Sequence, residues 1–224
     1  MERKKALLFG ATGLIGRELL TILLDSRHYD AVIAVVRKPL KLSHPKLTQH
    51  VVDFAKLGDF ASAFQADDVF CCLGTTIRKA GSQEAFAKVD VEYPLAIARL
   101  TEQAGARHMA VVSSIGAKAD SRTFYLRMKG QMEEGVRRLG PPSVHAFRPS
   151  FLLGEREEVR TGEQIASALS RIFAFLLAGP LRKYKPIPGR TVALAMHNAA
   201  QRPAQLGFAA FESDEIGSIA LQPS

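Results

Sequence analysis

The chain has 224 residues, 47% hydrophobic and 23% charged, a balance that supplies a globular core and rules out a disordered or fibrous protein. Its length allows one domain, or one with a modest appended lobe. The net charge of +8 favours anionic partners, but the basic residues are scattered and form no run or stripe, so a solvated basic surface accounts for them better than nucleic-acid binding does. Arg3, Lys4 and Lys5 ahead of an apolar stretch imitate a secretion signal; no small-residue cleavage site follows, and Arg17 and Glu18 interrupt at once. No later stretch has the length of a membrane span. Cys71 and Cys72 are adjacent in an apolar run, neither a CxxC nor a disulfide framework, which points to a reducing, cytoplasmic compartment.

The opening stretch, Lys4 to Leu20, reads as a short buried strand over Ala6 to Phe9, a turn with Gly10, Gly13 and Gly16 at intervals of three, and the start of an amphipathic helix that runs to about Asp25. Glycines let the backbone turn tightly and let a phosphate approach, and the free amides and positive dipole end of the helix meet the negative charge. Gly10, Thr12, Gly13, Leu14, Ile15 and Gly16 are therefore candidate dinucleotide-binding residues. Ala31 to Val36 is an apolar, β-branched run of the kind buried on both faces of a sheet. It ends at Arg37 and Lys38, about twenty residues past the turn; an acidic residue there would suit the ribose of NAD, whereas an arginine suits the extra phosphate of NADP(H).

Gln49 to Val52 predicts a third strand, stopped by Asp53 and Phe54, where an adenine ring would lie. A short helix follows over Gly58 to Gln65, then a fourth strand over Val69 to Leu73. Leu73, Gly74, Thr75 and Thr76 stand at the carboxyl end of that strand, where ligands sit in open parallel sheets. Ile77 to Ser82 is a basic loop carrying Arg78 and Lys79. Gln83 to Ala104 carries a helical period with Pro94 near its middle, a predicted kink. His108 to Val112 is a fifth strand ending at Ser113 and Ser114, a helix runs from Thr123 to about Leu139, and Val144 to Phe147 is a sixth strand ending at Arg148, Pro149 and Ser150. Strands alternating with helices predict an α/β fold with a doubly wound parallel sheet over residues 1–150. From Phe151 the pattern changes: a charged loop over Glu155 to Arg160, a helix over Gly162 to Leu177, three prolines, a helix over Thr191 to Ala200 and a short strand over Phe208 to Phe211. Residues 151–224 read as a small substrate lobe closing over the sheet and integrated with it.

Tyr125 and Lys129 are four apart and share a helix face. A phenol has an ordinary pKa of about 10; an ammonium about 4 Å away would favour the phenolate by roughly 4 kcal/mol at an effective dielectric near 20, which brings the tyrosine into range as an acid/base. Ser113 or Ser114 would hydrogen-bond the reacting oxygen. Six dispersed histidines (His28, His44, His50, His108, His145 and His197) show no ligand spacing, so no metal site is expected. Asp67 and Asp68 read as a turn cap. Phe173, Leu176 and Leu177 share a face that would pack in the core or roof a substrate pocket, and Glu155, Arg156 and Arg160 are either solvated loop charges or the polar groups that select a substrate.

With the motifs GATGLIG (Gly10 to Gly16), VVDF (Val51 to Phe54), DVFCCLGTT (Asp68 to Thr76), VVSSIGA (Val111 to Ala117), YLRMKG (Tyr125 to Gly130) and FRPSFLLGER (Phe147 to Arg156) in this order, the chain resembles the short-chain dehydrogenase/reductases of atypical or extended kind, with a Rossmann fold, and more narrowly the Tat-interacting-protein-like oxidoreductases. The resemblance implies that Tyr125 is the acid/base, that Lys129 holds the nicotinamide ribose and lowers the tyrosine pKa, that Ser114 or else Ser113 polarises the substrate oxygen, and that Pro149 with the backbone of Ser150 and Phe151 faces the nicotinamide carboxamide. The expected activity is NADP(H)-dependent hydride transfer to or from a small carbonyl or alcohol substrate, by a monomer or homodimer. A nucleotide-sugar epimerase or dehydratase uses the same residues, but the final seventy or so residues leave little room for a second nucleotide; a non-catalytic NADP(H)-binding redox sensor is the remaining alternative.

Overall fold

The computed structural model describes residues 4–153, 179–203 and 205–222. In chain order they form β1 (Lys4–Phe9), α1 (Leu14–Asp25), β2 (Tyr29–Val36), β3 (Leu47–Val51), a 3₁₀ segment (Phe54–Phe64) and β4 (Asp68–Cys71). Then come α2 (Ile77–Ala80), α3 (Gln83–Ala87), a π turn (Lys88–Glu92), α4 (Tyr93–Gln103), β5 (His108–Val112), α5 (Phe124–Leu139) and β6 (Ser143–Arg148). The last third holds β7 (Leu152–Leu153), a 3₁₀ turn (Gly179–Tyr184), β8 (Ile187–Pro188), α6 (Gly189–Ala200), β9 (Gly207–Glu212) and α7 (Ser213–Ala220).

Seven strands make one parallel sheet in the order β3-β2-β1-β4-β5-β6-β9. Successive strand residues point to opposite faces, and each face is covered. Ala6, Leu8, Val32, Ala34, Phe70, Ala110 and Phe147 pack under α1, α6 and α7. Leu7, Phe9, Val69, Cys71, Met109, Val111 and Ala146 pack under α4, α5 and the first 3₁₀ segment. This is the doubly wound α/β fold expected from the alternating pattern. The chain leaves the sheet centre in one direction after β1 and in the other after β4, which opens a crevice between their carboxyl ends, the usual ligand position in such sheets.

Several elements differ from their sequence-based expectation. The strand expected over Phe208 to Phe211 is longer and joins the main sheet. It extends to β9, pairs along all of β6 (Val144 with Phe208, Phe147 with Phe211), and so covers what would be an open sheet edge. Likewise α6 packs along α1 and buries Val192, Ala193, Ala195, Met196, Ala199 and Ala200. The helix expected from Gln83 to Ala104 is split by the π turn. Pro94 cannot donate to the carbonyl of Asp90 four residues earlier, so the hydrogen-bond ladder widens just before it. The short helix near Gly58 is 3₁₀, with non-helical dihedrals at Lys56 and Phe60.

Neither aspartate is seen as a turn cap: Asp67 accepts from the Lys5 amide of β1 at 2.8 Å and from Arg107 at 2.9 Å, and Asp68 is no turn residue. It is buried at the foot of β4, where its carboxylate accepts from the Tyr29 hydroxyl at 2.6 Å and from Lys4 at 3.2 Å. The helix expected over Gly162 to Leu177, with Phe173, Leu176 and Leu177, and the charged loop with Glu155, Arg156 and Arg160 lie outside the described residues.

Candidate functional site

The three glycines of the opening turn differ in how strictly the fold requires them. Gly10 has φ +81°, and a Cβ on it would lie 2.5 Å from the carbonyl oxygen of Cys72. A side chain there would thus be strained and would collide with the end of β4. A Cβ on Gly16 would lie 2.0 Å from the Gly10 carbonyl oxygen, because α1 starts directly against the turn. Gly13 is exposed and caps α1 with no side-chain bond; its amide donates to the Gly10 carbonyl at 3.0 Å, and its own carbonyl accepts from the Arg17 amide at 3.0 Å. A Cβ there would meet that carbonyl oxygen at 3.3 Å, tight but adjustable. The first-turn amides of Leu14, Ile15 and Gly16 have no partner within the helix, as at any helix start, and the first turn carries no acidic side chain. The turn can therefore receive an anion. Thr12 is exposed, Leu14 half-buried and Ile15 buried.

Arg37 and Lys38 are exposed just past the end of β2, on the strand that pairs with β1. Asp53 is spent partly on local structure, accepting from the Ala55 amide at 2.9 Å. The ring of Phe54 is core: it is 7% exposed, edge-on to Phe9 and tilted against Tyr93. An adenine beside this pair would meet the Asp53 edge and backbone rather than an aromatic face.

At the carboxyl end of β4, Leu73 packs against the core and Gly74 is exposed. The Thr75 amide donates to Asp90 Oδ2 at 2.8 Å, and the Thr76 hydroxyl caps α2 by accepting from the Lys79 amide. Lys129 lies beneath this loop, 4% exposed, with Nζ 2.8 Å from Asp90 Oδ1 and 3.4 Å from the Val112 carbonyl oxygen. Burial works to depress the ammonium's pKa, but the Asp90 carboxylate and, to a lesser extent, Tyr125 outweigh it and hold the group above its ordinary value. The Cys71 thiol nearby is pushed up to about 12 by burial and is inert as a nucleophile.

Tyr125 is half-exposed at the start of α5, its ring edge-on to Phe86 at 5.9 Å, and it interacts electrostatically with Lys129. The serines present themselves differently. Ser113 is 3% exposed and its hydroxyl has no hydrogen-bond partner among the described residues, whereas Ser114 is half-buried and its hydroxyl makes only a 3.4 Å contact with the Ile115 carbonyl. After β6 the buried Pro149 accepts from the Ile115 amide at 3.1 Å, which ties this loop to the serines. The Ser150 hydroxyl donates to the Lys185 carbonyl, its amide donates to Ser213 Oγ, and Phe151 is 78% exposed.

The helix carrying Tyr125 and Lys129 is held against β6 by a two-pronged pair. Arg148 Nε donates to Glu133 Oε1 at 2.9 Å and Nη2 to Oε2, with Glu133 buried. That hydrogen bond raises the Arg148 pKa.

Sequence reasoning missed Asp90, and it treated Lys129 as a free ammonium beside Tyr125. In the fold the ammonium is already paired, so Tyr125 faces an ion pair rather than an isolated positive charge. The available signal was an acid set in an otherwise apolar helical period four residues before a proline. Among the described residues no group of three or more His, Cys, Asp or Glu side chains could hold a metal ion; the fold does bring His108 and His145 together, Nε2 to Nδ1 at 3.0 Å. No described helix is long and apolar enough to cross a membrane. Two surface depressions of about 350 and 220 Å³ lie along α7 and α5. The glycine turn lines neither.

The sequence model of an NAD(P)H-binding family matches residues 10–141. Protein HTATIP2 of Rattus norvegicus is 38% identical over 207 residues, covering 91% of this chain and 84% of that protein. Protein FMP52-1 of Scheffersomyces stipitis, named mitochondrial, is 33% identical over 207 residues and 90% of each chain. Among solved structures, MoeE5 in complex with UDP-glucose and NAD superposes with a TM-score of 0.69 at 19% identity, covering 96% of this chain and 80% of that one.

Proposed function

The chain belongs to the NAD(P)H-binding family, in the Tat-interacting-protein-like branch of the short-chain dehydrogenase/reductases, and from that premise we propose that it is an NADP(H)-dependent oxidoreductase acting on a small carbonyl or alcohol substrate. The observation that carries the reading is the placement of the buried Lys129 ammonium and the half-exposed Tyr125 at the carboxyl end of the sheet, at the far side of β4 from the glycine turn. A dinucleotide with its pyrophosphate on the amides of Leu14, Ile15 and Gly16 runs its adenosine toward β2 and its nicotinamide toward β5. NADP(H) supplies or accepts the hydride. Tyr125 gives or takes the proton at its phenolic oxygen, Ser114 or Ser113 hydrogen-bonds the substrate oxygen, and Lys129 holds the nicotinamide ribose.

Pro149, Ser150 and Phe151 face the carboxamide; Gly74, Thr75 and Thr76, with Leu73 behind them, let the cofactor backbone pass; Asp53 and Phe54 border the adenine. Arg37, with Lys38 beside it, meets the 2′-phosphate and selects NADP(H) over NAD(H). Cys71 and Cys72 carry free thiols, which suits a reducing compartment such as the cytoplasm.

The test is oxidation of NADPH against a broad panel of aldehydes and ketones, with Tyr125→Phe alongside. Turnover is expected to fall by at least about 10²-fold, the range of general acid catalysis, while NADPH binding persists. Turnover retained in Tyr125→Phe would remove the assigned chemistry. NADPH binding without turnover of any panel member would turn the reading to a cofactor sensor.

A further inference from the structure

We propose that Asp90 is a positioning residue of the dinucleotide site: its carboxylate joins the loop after β4 and helix α5 into one preassembled surface for the nicotinamide half of the cofactor. The inference rests on the reading of Lys129 as the holder of the nicotinamide ribose.

Asp90 is 1% exposed, yet it sits at the ligand end of the sheet and uses both oxygens on groups that border the crevice. Oδ2 takes the Thr75 amide at 2.8 Å and so fixes the Gly74–Thr75 loop. Oδ1 lies 2.8 Å from the Lys129 ammonium, a charge contact that keeps a buried lysine protonated. The ammonium also donates to the Val112 carbonyl at 3.4 Å, and with three donors it keeps capacity for a ligand hydroxyl. Gly74 lies against the pair: a Cβ on Gly74 would lie 3.6 Å from Asp90 Oδ1 and 4.0 Å from Lys129 Nζ.

The local fold is bent to achieve this. Asp90 stands in the π turn, where Pro94 interrupts the regular helical ladder, a device that re-aims side chains at functional positions. An acid here cannot be replaced by burial alone, because Lys129 without its partner is an uncompensated charge in the interior. A site whose loop and lysine are held before the cofactor arrives spends less binding energy on ordering them.

The experiment compares Asp90→Asn, Lys129→Met and the double variant by Kd for NADPH and for ADP, with thermal unfolding as the measure of folding. ADP occupies the adenosine and pyrophosphate region common to both dinucleotides and lacks the nicotinamide ribose. Asp90→Asn is expected to weaken NADPH at least tenfold and leave ADP within twofold. The double variant should bind NADPH no worse than Lys129→Met, since residues acting as a unit are non-additive. The double variant removes both charges, so it folds even where Asp90→Asn does not, and it must then still bind ADP like the parent. Unchanged NADPH affinity in Asp90→Asn while Lys129→Met loses it would overturn the proposal. So would equal loss of NADPH and ADP, or strictly additive losses. Unchanged NADPH affinity in Lys129→Met would instead overturn the reading of that lysine as the ribose holder.

Discussion

Replacing Gly16 with alanine tests whether the opening turn is set by the protein or by its ligand. The new Cβ would stand 2.0 Å from the Gly10 carbonyl oxygen, 2.7 Å from its carbon and 3.2 Å from Ala11 Cα. All three neighbours are backbone and cannot rotate away. To restore an ordinary contact, the start of α1 must withdraw by roughly 1 Å, against Ile15, Leu19, Leu20, Leu23 and Leu24, which are buried in the core. Forced overpacking of this kind costs about 1–3 kcal/mol, and the better helix propensity of alanine returns about 1 kcal/mol.

The net is a loss of up to about 2 kcal/mol, or a fall in Tm of up to roughly 8 °C for a chain of this size. The same withdrawal moves the free amides away from the phosphate position; losing one charge-assisted hydrogen bond, worth about 1.5–3 kcal/mol, weakens NADPH at least tenfold. Gly13→Ala is the control. Its Cβ meets one atom at 3.3 Å, and φ is an ordinary −77°, so Tm should shift by less than about 2 °C while the exposed methyl obstructs the cofactor. Thermal unfolding reads the first quantity. NADPH emission reads the second without interference, because the chain has no tryptophan. Wild-type Tm and affinity in Gly16→Ala, or equal destabilisation by Gly13→Ala, would refute the division of roles.

Other consequences can be measured on the same material. Arg37→Glu reverses the charge beside the expected 2′-phosphate and should invert the NADPH to NADH affinity ratio; equal affinities of the parent for the two would remove the Arg37 argument. Gly74→Ala makes only ordinary contacts at 3.6 and 4.0 Å, so stability should change by less than about 0.5 kcal/mol while NADPH affinity falls, and an unchanged affinity would show that the cofactor does not pass there. Acid should destabilise the fold through the buried histidine pair. Burial depresses the His108 pKa, and burial with Arg202 nearby pushes His145 down to about 4, against about 6.5 in the unfolded chain. Protons then bind the unfolded chain preferentially, so this stability is complete above pH 6.5 and lost as pH falls toward 4, by up to about 3 kcal/mol for His145. Asp68, whose carboxyl is pushed up mainly by burial, opposes the trend, and His145→Gln should flatten the Tm profile between those pH values.

Much of this protein was legible because local chemistry encodes it. Runs such as Ala31 to Val36 and His108 to Val112 are buried on both faces and announce parallel strands; the glycine spacing and the strand ends place a crevice and its ligand class. The split at Pro94 was anticipated as a kink, since the missing N–H is visible in the residue type. The form it took, a π turn that carries Asp90 inward, was not, because the turn matters only through what it faces. The same holds for Glu133 and Arg148, two ordinary charges until the fold pairs them.

The sequence by itself therefore determined the alternation of elements, the glycine turn between β1 and α1 and the Tyr125–Lys129 face, all set by contacts within a few residues. Tertiary structure alone decided that β9 closes the sheet beside β6, that Gly16 is required by Gly10 rather than only by a ligand, and that Lys129 is a paired rather than a free ammonium. The physical reason is that burial and pairing join residues far apart in the chain, and a charge or a glycine acquires its role from the neighbour that packing brings to it.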